Sequence, residues 1–480
     1  MKRQRKPDEK GYKTLLFSVY NAIGWQMYSF CIAKGVLLEC KRSPFKGQKG
    51  SFSKSYNALS RKYKENNEIN LNQKQYLRTM KRKLCVMSAI VAAALSATDA
   101  SAQTVLFKSD TVSTCYRIPA LTKAKDGSIF AFTDFRPCRT DVGGGVIDVV
   151  AKRSTDNGRT WSKEQTVVKG GGENIPFDVA HGDAAVVTDR KTGEMLMMCA
   201  SGNVWYWQST LKNPNRVGRY YSKDGFNWKG EEITDQIYKL MNGAVHKLFF
   251  SSGRICQSAK IKAGKYNRIY SALCTNVGNV VLYSDDFGHN WTPLGGADAR
   301  PAKFGDEAKI EELPNGDVLL CSRSQRGAGR IFNIFKYSNA KRAEGQWQTA
   351  ANLDPMYKSA MCNGEILIVN AVRKADGKKT NVLLYSVPMD AKRNYVGIYY
   401  KELASTADYA SPELLTKGWK TFRLSNTDSA YSTMEQMNDG NIAFFYEETH
   451  QKGGYDMVFC SLALDKITNG EYVAGKVKKS

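Results

Sequence analysis

The chain has 480 residues, 42% apolar and 24% charged, with 70 Lys and Arg against 46 Asp and Glu and a formal charge of +24. This is globular composition, and no run of eighteen apolar residues goes uninterrupted, which excludes a polytopic membrane protein. The positive charge suggests a nucleic-acid binder only if it belongs to the folded domain.

In chain order, the basic excess comes first. Residues 1–79 hold 17 basic and 5 acidic residues, half the net charge in a sixth of the chain. Next come Met80-Lys81-Arg82-Lys83, an uncharged stretch Leu84–Ala97, and Ala100-Ser101-Ala102. A basic start, a short apolar run and an A-x-A site describe a secretory leader, which must lie at the amino terminus to be read. The expectation is therefore that translation starts at Met80, that residues 1–79 are an upstream extension, and that residues 80–102 are removed. An anchor in Leu15–Ala33 competes, but Asn21 and Gln26 interrupt it.

Residues 103–480 then form the exported protein, periplasmic, surface-bound or secreted. Its 50 basic and 40 acidic residues include no run of five like charges. The reading is a monomer with no nucleic-acid partner and no integral membrane span. Export permits disulfides among Cys115, Cys138, Cys199, Cys256, Cys274, Cys321, Cys362 and Cys460, but buried thiols are the simpler expectation. There is no CxxC, and His181, His246, His289 and His450 lack zinc spacing, so no metal or organic cofactor is implied.

Short Val-, Ile-, Phe- and Tyr-rich runs follow, among them Gly127–Thr133, Ile147–Lys152, Val280–Tyr283, Val318–Ser322 and Ile442–Tyr446. Asp126-Gly127, Pro314-Asn315-Gly316 and Asp439-Gly440 punctuate them. The domain reads as all-β hairpins. Ser154–Trp161 and Ser284–Trp291 both fit S-x-D-x-G-x-x-W, Ser222–Trp228 is one residue shorter, and a degenerate copy spans Ser338–Trp347. Intervals of 68 and 62 residues match one four-stranded blade, and 378 residues divide into six such units. The expected fold is a six-bladed β-propeller.

Near the start of this domain stands Tyr116-Arg117-Ile118-Pro119. With the repeated boxes it resembles the sialidases of glycoside hydrolase family 33, the Asp-box propellers that release terminal sialic acid, from about Leu106 to Leu464. A sialic acid carries a carboxylate on its anomeric carbon, and arginine meets a carboxylate with a planar fork. The resemblance implies a clamp of Arg117, Arg323 and Arg393, with Arg373 and Lys379 competing for the third place. A carboxylate nucleophile would be repelled by the substrate's own charge, and sialidases use tyrosine instead. The match gives Tyr431 as nucleophile and Glu307 as its base, with Glu311 the register alternative. Asp141 matches the general acid/base, with Asp134 and Asp148 as alternatives, and Arg136 then contacts the substrate pocket. Glu447 matches the acid that holds the first arginine, and Asp183 a contact to the sugar's hydroxyl or N-acyl side. Trp205 and Trp207 either line the acyl pocket or pack in a sheet. The activity implied is retaining exo-sialidase action on sialylated glycans. A trans-sialidase, an intramolecular trans-sialidase and a non-catalytic propeller lectin remain as alternatives.

Overall fold

The three full boxes explain how the chain turns. Ser154 Oγ accepts the Gly158 N–H at 2.8 Å, Asp156 accepts the Thr160 N–H at 2.9 Å, and Gly158 holds φ 84°. Trp161 Nε1 then donates to the Gly158 carbonyl at 3.1 Å. Ser222, Asp224, Gly225 and Trp228 repeat the pattern, and so do Ser284, Asp286 and Gly288. Small side chains satisfy the turn's own amides, so each hairpin is specified locally. The degenerate fourth copy is also a hairpin, with Ala343 at φ 56° and Trp347 Nε1 donating to the Leu294 carbonyl at 2.9 Å.

The glycines have a second purpose. A β-carbon on Gly158 would lie 2.2 Å from the Phe459 ring, on Gly225 2.4 Å from Phe130, and on Gly288 2.5 Å from Leu196. Each of these partners belongs to the preceding blade, so the box glycine is also a point of close contact between neighbouring blades.

This computed structural model describes residues 103–172, 175–327, 329–353, 357–449 and 454–477. The expected leader, start codon and basic extension lie outside the described residues. Six small sheets form the six-bladed propeller. Their innermost strands begin with Tyr116–Lys123, His181–Thr188, Cys256–Ala263, Gly305–Glu312, Glu365–Arg373 and Ser429–Gln436, for blades one to six. The ring closes through blade six, where Thr104–Phe107 lies antiparallel to Asp456–Leu462. Among the described residues no helix is long and apolar enough to cross a membrane.

Apolar side chains fill all six seams between blades. Successive strand residues point to opposite sheet faces, and here each face meets a neighbouring blade. On Ile129–Phe135, Ile129 and Ala131 pack toward blade six, whereas Phe130 and Phe132 pack toward blade two. On Val318–Ser324, Val318 and Leu320 face blade three while Leu319 and Cys321 face blade five. This two-sided burial is why the strands read as continuous apolar runs and not as alternating ones. All eight described cysteines are free thiols, and seven are buried.

Candidate active site

Four of the innermost strands carry the same irregularity. Two of their residues oppose one on the next strand: Ile118 and Pro119 against Thr133, Asp183 and Ala184 against Cys199, Asp306 and Glu307 against Arg323, Ala430 and Tyr431 against Glu447. Such bulges re-aim side chains and end regular pairing. Glu307, Arg323, Tyr431, Glu447 and Asp183 all sit on bulges or directly opposite them, and Arg117 immediately precedes one.

Glu447 ties three of these segments together. Its carboxylate is fully buried and accepts from Arg117 Nε at 2.7 Å and Nη2 at 3.3 Å, from the Ile118 N–H at 2.8 Å and from the Tyr431 N–H at 3.1 Å. Ile118 holds φ 63°, a strained conformation for a β-branched residue, and its bond to Glu447 helps retain it.

Tyr431 Oη donates to Glu307 Oε2 at 2.9 Å, and Arg323 Nη1 approaches the same oxygen at 2.7 Å. Arg117 and Arg393 lie over the tyrosine ring, 5.6 Å and 5.4 Å from its centroid, so three guanidinium groups surround one phenol. Arg393 comes from the loop after the second strand of blade five and donates to the Met361 carbonyl at 3.4 Å. Arg323 Nε is buried with no hydrogen-bond partner, 3.6 Å from Asp306. Burial and then Glu307 push the Tyr431 phenol well above its usual range, against the pull of Arg323 and Arg393. The resting phenol is therefore protonated, with a carboxylate placed to receive its proton.

The competitors lie elsewhere. Arg373 is bonded to Glu402 and Asp376. Lys379 is exposed at the start of Lys379–Pro388. Glu311 is occupied by Arg254.

Blade one supplies the other half of the site. Arg136 is only 1% exposed and serves three carboxylates: Asp134 Oδ2 at 2.7 Å, Asp141 Oδ1 at 2.5 Å and Asp183 Oδ1 at 3.1 Å. Asp134 is fully buried and also accepts the Asp183 N–H. Burial holds both Asp134 and Asp183 above the ordinary carboxylate range, although Arg136 opposes it. Asp148 accepts the Gly170 N–H at 2.8 Å. Asp141 differs from these in being 61% exposed, on a loop that runs into Gly143, Gly144 and Gly145.

Two expectations change shape here. The guanidinium of Arg136, expected to face the pocket, is already shared among carboxylates. Trp205 and Trp207 do not lie in a sheet: Trp205 caps the 3-10 turn Tyr206–Gln208 and Trp207 lies within it, the rings 4.6 Å apart and tilted by 32°, with Trp207 58% exposed. Sequence reasoning did not identify the bracing position of Asp134, although Asp-x-Arg on one strand puts both side chains on one face. It also passed over Tyr455, whose ring lies 5.2 Å from the Arg117 guanidinium. A separate 560 Å³ cavity between segment 295–304 and blade four is lined by none of the candidate residues.

No family model matches the chain. A sialidase of Paraclostridium sordellii is 26% identical over 339 residues, covering 65% of this chain and 77% of that protein. A sialidase of Micromonospora viridifaciens is 26% identical over 345 residues, covering 69% of this chain and 50% of its own, so the chain spans only half of that relative. Among solved structures, the intramolecular trans-sialidase of Ruminococcus gnavus in complex with oseltamivir carboxylate superposes with a TM-score of 0.61 at 15% identity, covering 76% of this chain and 98% of that one. Likeness spread over about two thirds of the sequence, joined to the six-bladed architecture, makes this chain similar to bacterial sialidases in both sequence and fold.

Proposed function

We propose that the protein is an exported, retaining exo-α-sialidase that hydrolyses terminal sialic acids from glycans. The observation that carries this reading is the 2.9 Å bond from Tyr431 to Glu307 within reach of three arginines. Arg117, Arg323 and Arg393 hold the substrate carboxylate. Their contribution is orientation; the tyrosine and its carboxylate balance the positive charge that develops on the sugar.

In the first step Tyr431 Oη attacks the anomeric carbon while its proton passes to Glu307. Asp141 gives its proton to the departing glycosidic oxygen, whose bond to carbon breaks. In the second step Asp141 takes a proton from water, water attacks the same carbon, and Tyr431 leaves and recovers its proton from Glu307. Each displacement inverts the anomeric carbon, and the two, from opposite faces, restore the starting configuration. Asp183 lies on the sugar's hydroxyl and N-acyl side of the pocket in this reading.

Release of fluorophore from an aryl sialoside tests the activity, and proton NMR of the first product tests retention. Full activity after Tyr431→Phe or Asp141→Ala would refute these roles. The likeness to an intramolecular trans-sialidase supports a second reading with the same residues. Product analysis with and without a galactoside acceptor separates free sialic acid, a transferred sialoside and an internally linked anhydro sugar. Amino-terminal sequencing of the native protein tests export by cleavage, with Gln103 expected first.

A further inference from the structure

We infer that Trp205 is a positioning residue for Asp141 and not a wall of the sugar pocket. The inference rests on the reading of Asp141 as the acid that protonates the leaving oxygen. Asp141 is exposed, and the loop carrying it ends in three glycines, so something must hold it where a proton can be delivered. Arg136 grips the carboxylate from the side of blade one. The far side of the loop rests on Trp205. A β-carbon on Gly143 would lie 2.3 Å from the Trp205 backbone nitrogen. One on Gly144 would lie 2.4 Å from indole Cζ2 and 2.5 Å from the Thr140 methyl.

Gly144, unlike Gly143, is outside the left-handed region. No turn geometry of that kind demands a glycine there, and close approach to the indole and Thr140 accounts for it. Between the two glycines and Asp141, Val142 is buried against Ile147, Ala180 and Ala200. The loop is thus pinned at its base and braced at its glycines.

The brace is itself held. Trp207 packs against Trp205, and Tyr206 between them turns inward, edge-on to Phe249 at 5.2 Å with Cys274 Sγ 3.5 Å from its hydroxyl. Tyr206 thus ties this turn to blade three, and Trp205 joins it to the loop that carries Asp141.

General acid assistance matters most when the leaving group is a poor one. A sugar hydroxyl needs the proton, whereas nitrophenolate leaves with little help. Displacing Asp141 therefore damages turnover selectively, whereas removing a pocket wall weakens binding of every sialoside alike. Full-length Trp205→Ala and Gly144→Ala chains are to be compared with the unsubstituted protein on 3′-sialyllactose and on 4-nitrophenyl sialoside. The expected loss in kcat is about a hundredfold on the lactoside and under about tenfold on the nitrophenyl compound, with Trp205→Phe recovering most of it. Equal losses on both substrates, or a loss confined to KM, would overturn the assignment. Hydrogen exchange supplies a readout independent of activity: residues 139–145 should exchange faster in Trp205→Ala while the blade-one strands keep their protection. Unchanged exchange in that loop would also overturn it. If the unsubstituted chain cleaves neither sialoside, the proposed function fails, and the exchange result alone decides the bracing contact.

Discussion

Replacing Glu447 by glutamine keeps the shape of the side chain and removes its charge. Four N–H groups converge on the two carboxylate oxygens, two on each. Whichever way the amide turns, its NH2 faces two donors, and those bonds are lost. The weaker pair, Arg117 Nη2 at 3.3 Å and the Tyr431 N–H at 3.1 Å, is the one given up. Two buried unsatisfied donors cost about 1–3 kcal/mol each. Arg117, with 20% of its side chain exposed, also loses most of its counter-charge, and breaking a buried pair by neutralising one partner costs about 3–5 kcal/mol. These overlap because they count the same bonds from two sides, so the expected loss is about 3–5 kcal/mol in all. Urea denaturation of the purified protein measures it, read as a lower midpoint at unchanged slope. A loss below about 1 kcal/mol would show that the four bonds do not act together, and the bracing of Arg117 against Tyr431 would have to be abandoned.

Glu307→Gln should lower kcat by about 10²–10⁴-fold, because Tyr431 is held protonated by burial and would have no base; sialoside kinetics near neutral pH check this. His181 is buried against Ser201 and Tyr220, and burial lowers its pKa to about 4. A group depressed in the folded state stabilises above its unfolded value and loses that contribution as pH falls. Between about pH 6.5 and 4 the protein should therefore lose about 3 kcal/mol that a His181→Gln chain does not lose, measured by denaturation at each pH. Gly158→Ala should destabilise by about 2–4 kcal/mol, through its φ of 84° and its clash with Phe459. Gly264→Ala, at φ 58° with open space around it, should cost only about 1 kcal/mol.

What the sequence made legible is what residues settle among near neighbours. Ser154, Asp156, Gly158 and Trp161 complete one another's bonds within eight positions, so both the box and the blade spacing could be read off the chain. The six-bladed fold followed from that spacing. Arg117, Arg323, Glu307 and Tyr431 could be named because each sits in a short motif. Their mutual distances could not, because these depend on strand bulges at four separate places. A bulge leaves no compositional mark: Asp306-Glu307 looks like any acidic pair at the start of a strand. Arg136 shows the same limit in another form. Its motif pointed to a pocket residue, but Asp183, almost fifty positions away, claims part of its guanidinium. The turn at Trp205 and Trp207 was not legible, because two aromatics spaced by one residue suit a strand and a tight turn equally well.

The strand Thr104–Phe107, which completes blade six, has a consequence for how the molecule is made. Its partner lies some 350 residues later, so the piece of the domain synthesised first waits longest for its place. Until Asp456–Leu462 emerges, Thr104–Phe107 has no partner strand, and the seam where Phe459 joins Phe107, Leu121 and Phe445 stays unfinished. The loop-closure cost of joining such distant segments rises only slowly with length, but it is met all at once, at the end. Ring closure is therefore the step at which five stacked blades and a loose end become a single cooperative body, and a chain cut short before residue 456 would leave an exposed sheet edge at each side of the gap.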